Sequence, residues 1–89
     1  MSRNEIQYKI FSYLTMRFYL DDYKMPEILH TPIMELGIDS VEFFEVIEFL
    51  EEKYQISISD AEIKRDNLED IDKMSIFILK KTSFTKELI

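Results

Sequence analysis

An all-α fold, a bundle of four helices, is predicted by three features of the 89-residue sequence. Only one glycine and two prolines interrupt the chain, so tight turns are few and long stretches carry no helix breaker. Ile6, Ile10, Leu14 and Phe18 recur every fourth residue, which places them on one face of a helix. Two further stripes of helical spacing follow, Phe43, Ile47, Leu50 and Tyr54, then Leu68, Ile71, Met74 and Ile78.

The first helix is expected from about Arg3 to Leu20, with Phe11 and Tyr13 beside its apolar face. Ser2 followed by Glu5 has the spacing of a capping box. Residues 21–38 contain Pro26 and Pro32 and cannot form one continuous helix. A connection this long is usually functional or docked on the core, and Met25, Ile28, Leu29, Ile33 and Leu36 supply the apolar groups for docking. The second helix should run from Ser40 to Tyr54, with Phe43, Ile47, Leu50 and Tyr54 inward and Val46 at their flank. Its outer face then holds Val41, Glu45, Glu48 and Glu52, with Phe44 and Glu51 on the shoulder. QISIS is a connector. Ser59 or Asp60 is expected to cap a short third helix reaching about Arg65, and Asn67 to cap a last helix from Leu68 to about Lys81. Residues 1–82 make one domain. The tail, residues 83–89, either frays or extends the last helix.

Composition excludes several classes of function. Hydrophobic residues at 46% and aromatics at 13% are too many for intrinsic disorder. Eighteen acids against eleven lysines and arginines give a net charge of −7, which argues against nucleic acid and favours a partner with a basic surface. With no cysteine there is no disulfide, thiolate metal site or cysteine nucleophile. The acids between Asp60 and Asp72 lack the spacing of a calcium loop, and no metal is expected. MSRNEIQYKI is too charged for a signal peptide, and no apolar run approaches the ~18 residues of a membrane span. A monomeric, cytoplasmic domain is expected.

Chemistry concentrates in Gly37-Ile38-Asp39-Ser40-Val41. Gly37 can adopt positive φ. Asp39 is a good N-cap, and Glu42 lies three residues on. Ser40 therefore sits in the first turn of a helix whose start offers unpaired N–H groups and a positive dipole end. A phosphate on Ser40 would feel that field. Asp39, Glu42, Glu45, Glu48, Glu51 and Glu52, with no base among them up to Glu52, pull the other way. Such a phosphate should point outward. The single histidine, His30, lies in the proline-containing loop, so Ser40 has no evident general base. A serine modified by another enzyme suits this position better than a serine that attacks. As a plain helix start, Ser40 would be an ordinary cap and the acids an ordinary solvated face.

The segment LGIDSVEFFEVIEFLEEKY resembles the phosphopantetheine attachment region of acyl carrier proteins. Leu36, Gly37, Asp39 and Ser40 match that region directly, and Glu45, Leu50, Glu51, Glu52 and Tyr54 match by type and spacing. The order of helices matches as well, so the resemblance implies a four-helix bundle of acyl-carrier type with a long loop between helices 1 and 2. It implies covalent 4'-phosphopantetheine on Ser40, attached by a phosphopantetheinyl transferase, with Gly37 and Asp39 shaping the site. The thiol of that arm would carry acyl groups for fatty-acid, polyketide or related biosynthesis, with no catalysis by the carrier itself. Val41, Glu42, Phe44, Glu45, Glu48, Glu51 and Glu52 would face loading and processing enzymes that present basic patches. Val41 stands where leucine is usual, Ser59 where proline is common, and Glu48 where fatty-acid carriers often have an apolar residue. Phe43, Phe44 and Phe49 are bulky enough to narrow a cavity for the cargo. The alternatives are a peptidyl, aminoacyl or D-alanyl carrier, an acidic interaction module without an arm, and, remotely, a serine hydrolase.

Overall fold

Four α-helices carry the fold in the computed structural model, which describes the backbone of residues 2–88 and the side chains of residues 2–83. They are α1 (Arg3–Phe18), α2 (Ser40–Tyr54), α3 (Arg65–Leu68) and α4 (Ile71–Leu88). Single turns of 3-10 helix at Glu27–His30, Ile33–Leu36 and Asp60–Glu62 punctuate the connections. No strand occurs among the described residues, and QISIS is irregular.

The apolar stripes meet in one core. Ile6, Ile10 and Leu14 of α1 are fully buried, as are Val46 and Leu50 of α2 and Ile71, Met74 and Ile78 of α4. Each such side chain stabilises the fold by about 1.5–3 kcal/mol through the apolar surface it withdraws from water. Phe43 and Tyr54, expected inward, are half-buried at the edge of that core, while Ile47 is buried. α4 is the central helix: it packs on α1, on α3 and on the Glu27–His30 turn. α2 is joined to α1 by the stacked rings of Tyr13 and Phe49, 3.9 Å apart and within 7° of parallel. Desolvation by burial is the main reason the Tyr13 phenol is raised above its ordinary pKa, with the nearby Glu45 carboxylate adding to it.

The long connection docks as expected. Ile28, Ile33, Leu36 and Ile38 are buried, and Met25 and Leu29 pack against them half-covered. A backbone hydrogen bond from Ile33 N to Glu69 O, 2.8 Å, ties this connection to the residue after α3. At the other end of α1, an interior polar joint forms that periodicity does not reveal. Gln7, 6% exposed, donates to Asp72 Oδ1 at 3.0 Å and to Ser75 Oγ at 3.4 Å. Arg3 pairs with the same Asp72, and Ser75 Oγ donates to the Asp72 carbonyl at 2.6 Å. The buried amide is thereby satisfied, which spares the cost of an unpaired polar group in the interior.

Several boundaries differ from the sequence expectation. α1 ends at Phe18 because Tyr19 turns left-handed, φ 57°, and closes its N–H onto Thr15 O. The Ser2–Glu5 box is half formed: Ser2 Oγ accepts from Glu5 N, but the Glu5 carboxylate takes the Ser2 hydroxyl, not its backbone N–H. The expected third helix at 60–65 is split into the turn Asp60–Glu62 and α3, separated by Ile63 and Lys64. Asn67 does not cap the last helix; it lies within α3 and donates to Glu62 O at 2.9 Å. Asp70 takes that role, accepting from Lys73 N at 2.8 Å, so α4 begins at Ile71. Leu68 and Ile71 keep helical spacing across the break because α3 and α4 bury them in the same core. α4 runs from Ile71 through Leu88, and Ile89 lies outside the described residues.

The segment preceding α3 is held by Glu62. Its carboxylate accepts from Lys81 Nζ at 2.6 Å and from Ser59 N at 2.9 Å. The Lys81 hydrogen bond, then the Ser59 N–H, lower the Glu62 pKa below the ordinary 4.5. A depressed carboxylate contributes stability that is complete above its unfolded pKa and is lost as pH falls through the lower folded one. Glu62→Gln is therefore expected to be less stable than the parent protein at neutral pH. The difference should shrink as pH drops below 4.5, as measured by urea unfolding across that range. A difference that stays constant with pH would show that the Glu62 charge is not what holds the segment.

Candidate functional site

The start of α2 is set by four consecutive residues. The Ile33–Leu36 turn ends on Gly37, which takes the left-handed conformation at φ 82°. A Cβ at Gly37 would meet nothing within 4 Å, so the demand for glycine is conformational and not steric crowding. Ile38, 2% exposed, anchors the chain in the core. Asp39 is extended and caps α2 reciprocally: Glu42 N donates to Asp39 Oδ1 at 2.8 Å, and Asp39 N donates to Glu42 Oε1 at 3.0 Å. Two of the unpaired donors at this end are thus satisfied without Ser40. Ser40 is the first helical residue, is exposed, and makes no hydrogen bond through its hydroxyl among the described residues. It does not act as a cap.

The acids of α2 fall into two groups. Glu42 is engaged in the cap. Glu45 receives Arg17 of α1 through Nε at 3.0 Å and Nη2 at 2.8 Å. Glu51 is half-buried and accepts from Ile58 N at 2.9 Å, which fixes the connector after α2. Glu48 and Glu52 are exposed and unpaired among the described residues. Beside them stand the apolar groups Val41, 73% exposed, and Phe44, 53% exposed. Met34 of the preceding turn, 55% exposed, joins this apolar surface. Sequence reasoning did not single out Met34, because its placement depends on how residues 21–38 dock.

Ser40 borders a groove of about 550 Å³, within the range of sites that take small organic ligands. One wall is the segment Pro32–Glu35, another is Phe43 and Phe44 of α2, and the third is Ile63, Lys64 and Arg65 with Leu68 of α3. Phe43 and Phe44, with ring centroids 6.4 Å apart, line the groove. Phe49 does not: its stacking on Tyr13 takes it to the α1–α2 seam instead. His30 lies beside Asp72, Nδ1 to Oδ2 4.0 Å, and does not line the groove.

Among the described residues no helix is long and apolar enough to cross a membrane, and no three His, Cys, Asp or Glu residues gather as a metal site. The family model described as a phosphopantetheine attachment site matches residues 22–74, more than half of the chain, and this span includes Gly37, Asp39, Ser40 and all of α2. Neither curated proteins nor solved structures give a match.

Gly37→Ala should destabilise the protein by about 1–2 kcal/mol, the cost of holding an L side chain left-handed. Gly37→Asn should lose less, because asparagine tolerates that conformation better. Equal stability of the alanine variant in urea unfolding would contradict the conformational role of Gly37.

Proposed function

Because the chain belongs to the phosphopantetheine-attachment family, a family of carriers of covalently bound 4'-phosphopantetheine, we propose that Ser40 is the residue to which the group is joined and that the protein is an acyl carrier protein. The observation that carries this reading is the Ser40 hydroxyl: exposed, without a hydrogen-bond partner, and at the edge of a groove inside the matched span. The residues suit the group. The reciprocal cap of Asp39 and Glu42 frees the serine from the capping duty that its position would otherwise impose. The helix start provides a positive field for a phosphodiester.

Ser40 Oγ takes the phosphopantetheinyl group from coenzyme A. The pyrophosphate bond breaks, a phosphodiester to Oγ forms, adenosine 3',5'-bisphosphate leaves, and the hydroxyl proton passes to a base of the transferase. When bound, the group supplies a thiol on which acyl cargo travels as a thioester, chemistry a chain without cysteine cannot otherwise perform. Carrier domains of this family are generally non-catalytic, and no histidine lines the groove to activate Ser40 as a nucleophile of its own. We assign the chain to the carrying of acyl groups in fatty-acid, polyketide or related biosynthesis, in the cytoplasm. Gly37 and Asp39 hold the attachment turn.

Partner enzymes with basic patches would meet Glu48 and Glu52 first, since Glu42, Glu45 and Glu51 are committed within the fold. Val41 and Phe44 provide apolar contact between those charges and Ser40. Charge complementarity of this kind mainly raises encounter rate and sets orientation.

Incubation with coenzyme A and a broad-specificity phosphopantetheinyl transferase should add one phosphopantetheine to the intact mass, and Ser40→Ala should add none. Failure of the parent protein to load would overturn the reading. The double variant Glu48→Lys/Glu52→Lys should load more slowly at low salt, by several-fold, with the gap narrowing in high salt as screening increases. Its unfolding midpoint should be unchanged, and a loading rate equal to the parent's at low salt would remove these acids from the docking surface.

A further inference from the structure

The groove beside Ser40 is apolar at its base and unevenly charged at its walls. Ile33 and Leu68 are buried beneath it, and Phe44 stands one helical turn on from Ser40. Next to Ser40 stand the acids of the cap, Asp39 and Glu42, and Glu35 lines the groove on the Pro32–Glu35 wall. The wall before and within α3 is different. Arg65 Nε lies 3.0 Å and Lys73 Nζ 3.6 Å from opposite oxygens of Glu69, so two cations share one carboxylate. Lys64 borders the groove, is exposed, and has no partner among the described residues. Of the charged groups that line that wall, Lys64 and Arg65 outnumber Glu69, in a chain whose net charge is −7.

An uncharged acyl chain would use the base of this groove and leave the cationic wall idle. A chain ending in an anion would be repelled at the Ser40 side and attracted at the α3 side, which orients it along the groove. We propose that the groove takes the cargo end of the arm and favours an acyl group with an apolar stem and a carboxylate tip, an ω-carboxyacyl group, over its uncharged counterpart, through Lys64 and Arg65. The inference rests on the reading of Ser40 as the attachment residue.

The test compares adipoyl and hexanoyl thioesters loaded through the arm, with intact mass confirming attachment first. Absence of loading would count against Ser40, whereas everything that follows concerns the groove alone. The rate of release by hydroxylamine is measured for each thioester on the protein and on free pantetheine. The protein should protect the adipoyl thioester about two- to five-fold more than the hexanoyl one, the range expected of solvent-accessible ion pairs. That excess should vanish in Lys64→Gln/Arg65→Gln and should persist in Lys64→Arg/Arg65→Lys. Both residues are exposed, and unchanged unfolding midpoints check that the variants keep the fold. Equal protection of the two thioesters would overturn the proposal. So would a preference that survives in the glutamine variant or that is insensitive to salt.

Discussion

The site depends on one local constraint, the reciprocal cap between Asp39 and Glu42. It starts α2 at a defined residue and satisfies the donors at the helix end from side chains other than Ser40. Serine at a helix start usually spends its hydroxyl as a cap. Here aspartate has that task and the following serine is released from it. Gly37 and Ile38 make the constraint rigid from the other side. The first turns the chain left-handed, and the second fixes it in the core, so the cap is presented at one place relative to the bundle.

The bundle in turn is organised around α4. Its first residues receive α1 through the Gln7–Asp72–Ser75 joint, and its N-terminal half buries Met74 and Ile78 in the core. The 3-10 turns of the long connection lie against this frame, and the Ile33–Glu69 hydrogen bond sets the Pro32–Glu35 segment beside α3. That placement creates the groove at Ser40. The same connection that looks irregular in sequence is therefore a wall of the site. The hydrogen bond from Lys81 to Glu62 serves the opposite wall by anchoring the chain just before α3. Removing either tether would loosen the groove without touching Ser40.

Much of this was legible in the residues. The every-fourth spacing of Ile6, Ile10 and Leu14 reports a buried helix face directly, because burial selects apolar groups at the helical period. The bounds of α2 were legible because Asp39 and Glu42 are a local pattern whose partners lie three residues apart. What sequence reading missed is nonlocal. Nothing in the outer-face spacing of Glu45 foretells that Arg17, 28 residues away, would claim it. Gln7 is buried because Asp72, 65 residues on, supplies its partner. The division between α3 and α4 was hidden because Leu68 and Ile71 hold helical register across the break, so Asn67 reads as the cap that Asp70 supplies in the fold. The groove joins residues 32–35, 40–44 and 63–69, which no single stretch of chain brings together.

The most direct measurement is fragmentation mass spectrometry of the enzymatically loaded protein, which identifies the side chain carrying the phosphodiester. The account predicts a single modified residue, Ser40, with Ser2, Ser12, Ser57, Ser59, Ser75 and Ser83 unmodified. A phosphodiester found on any of those other serines would contradict it.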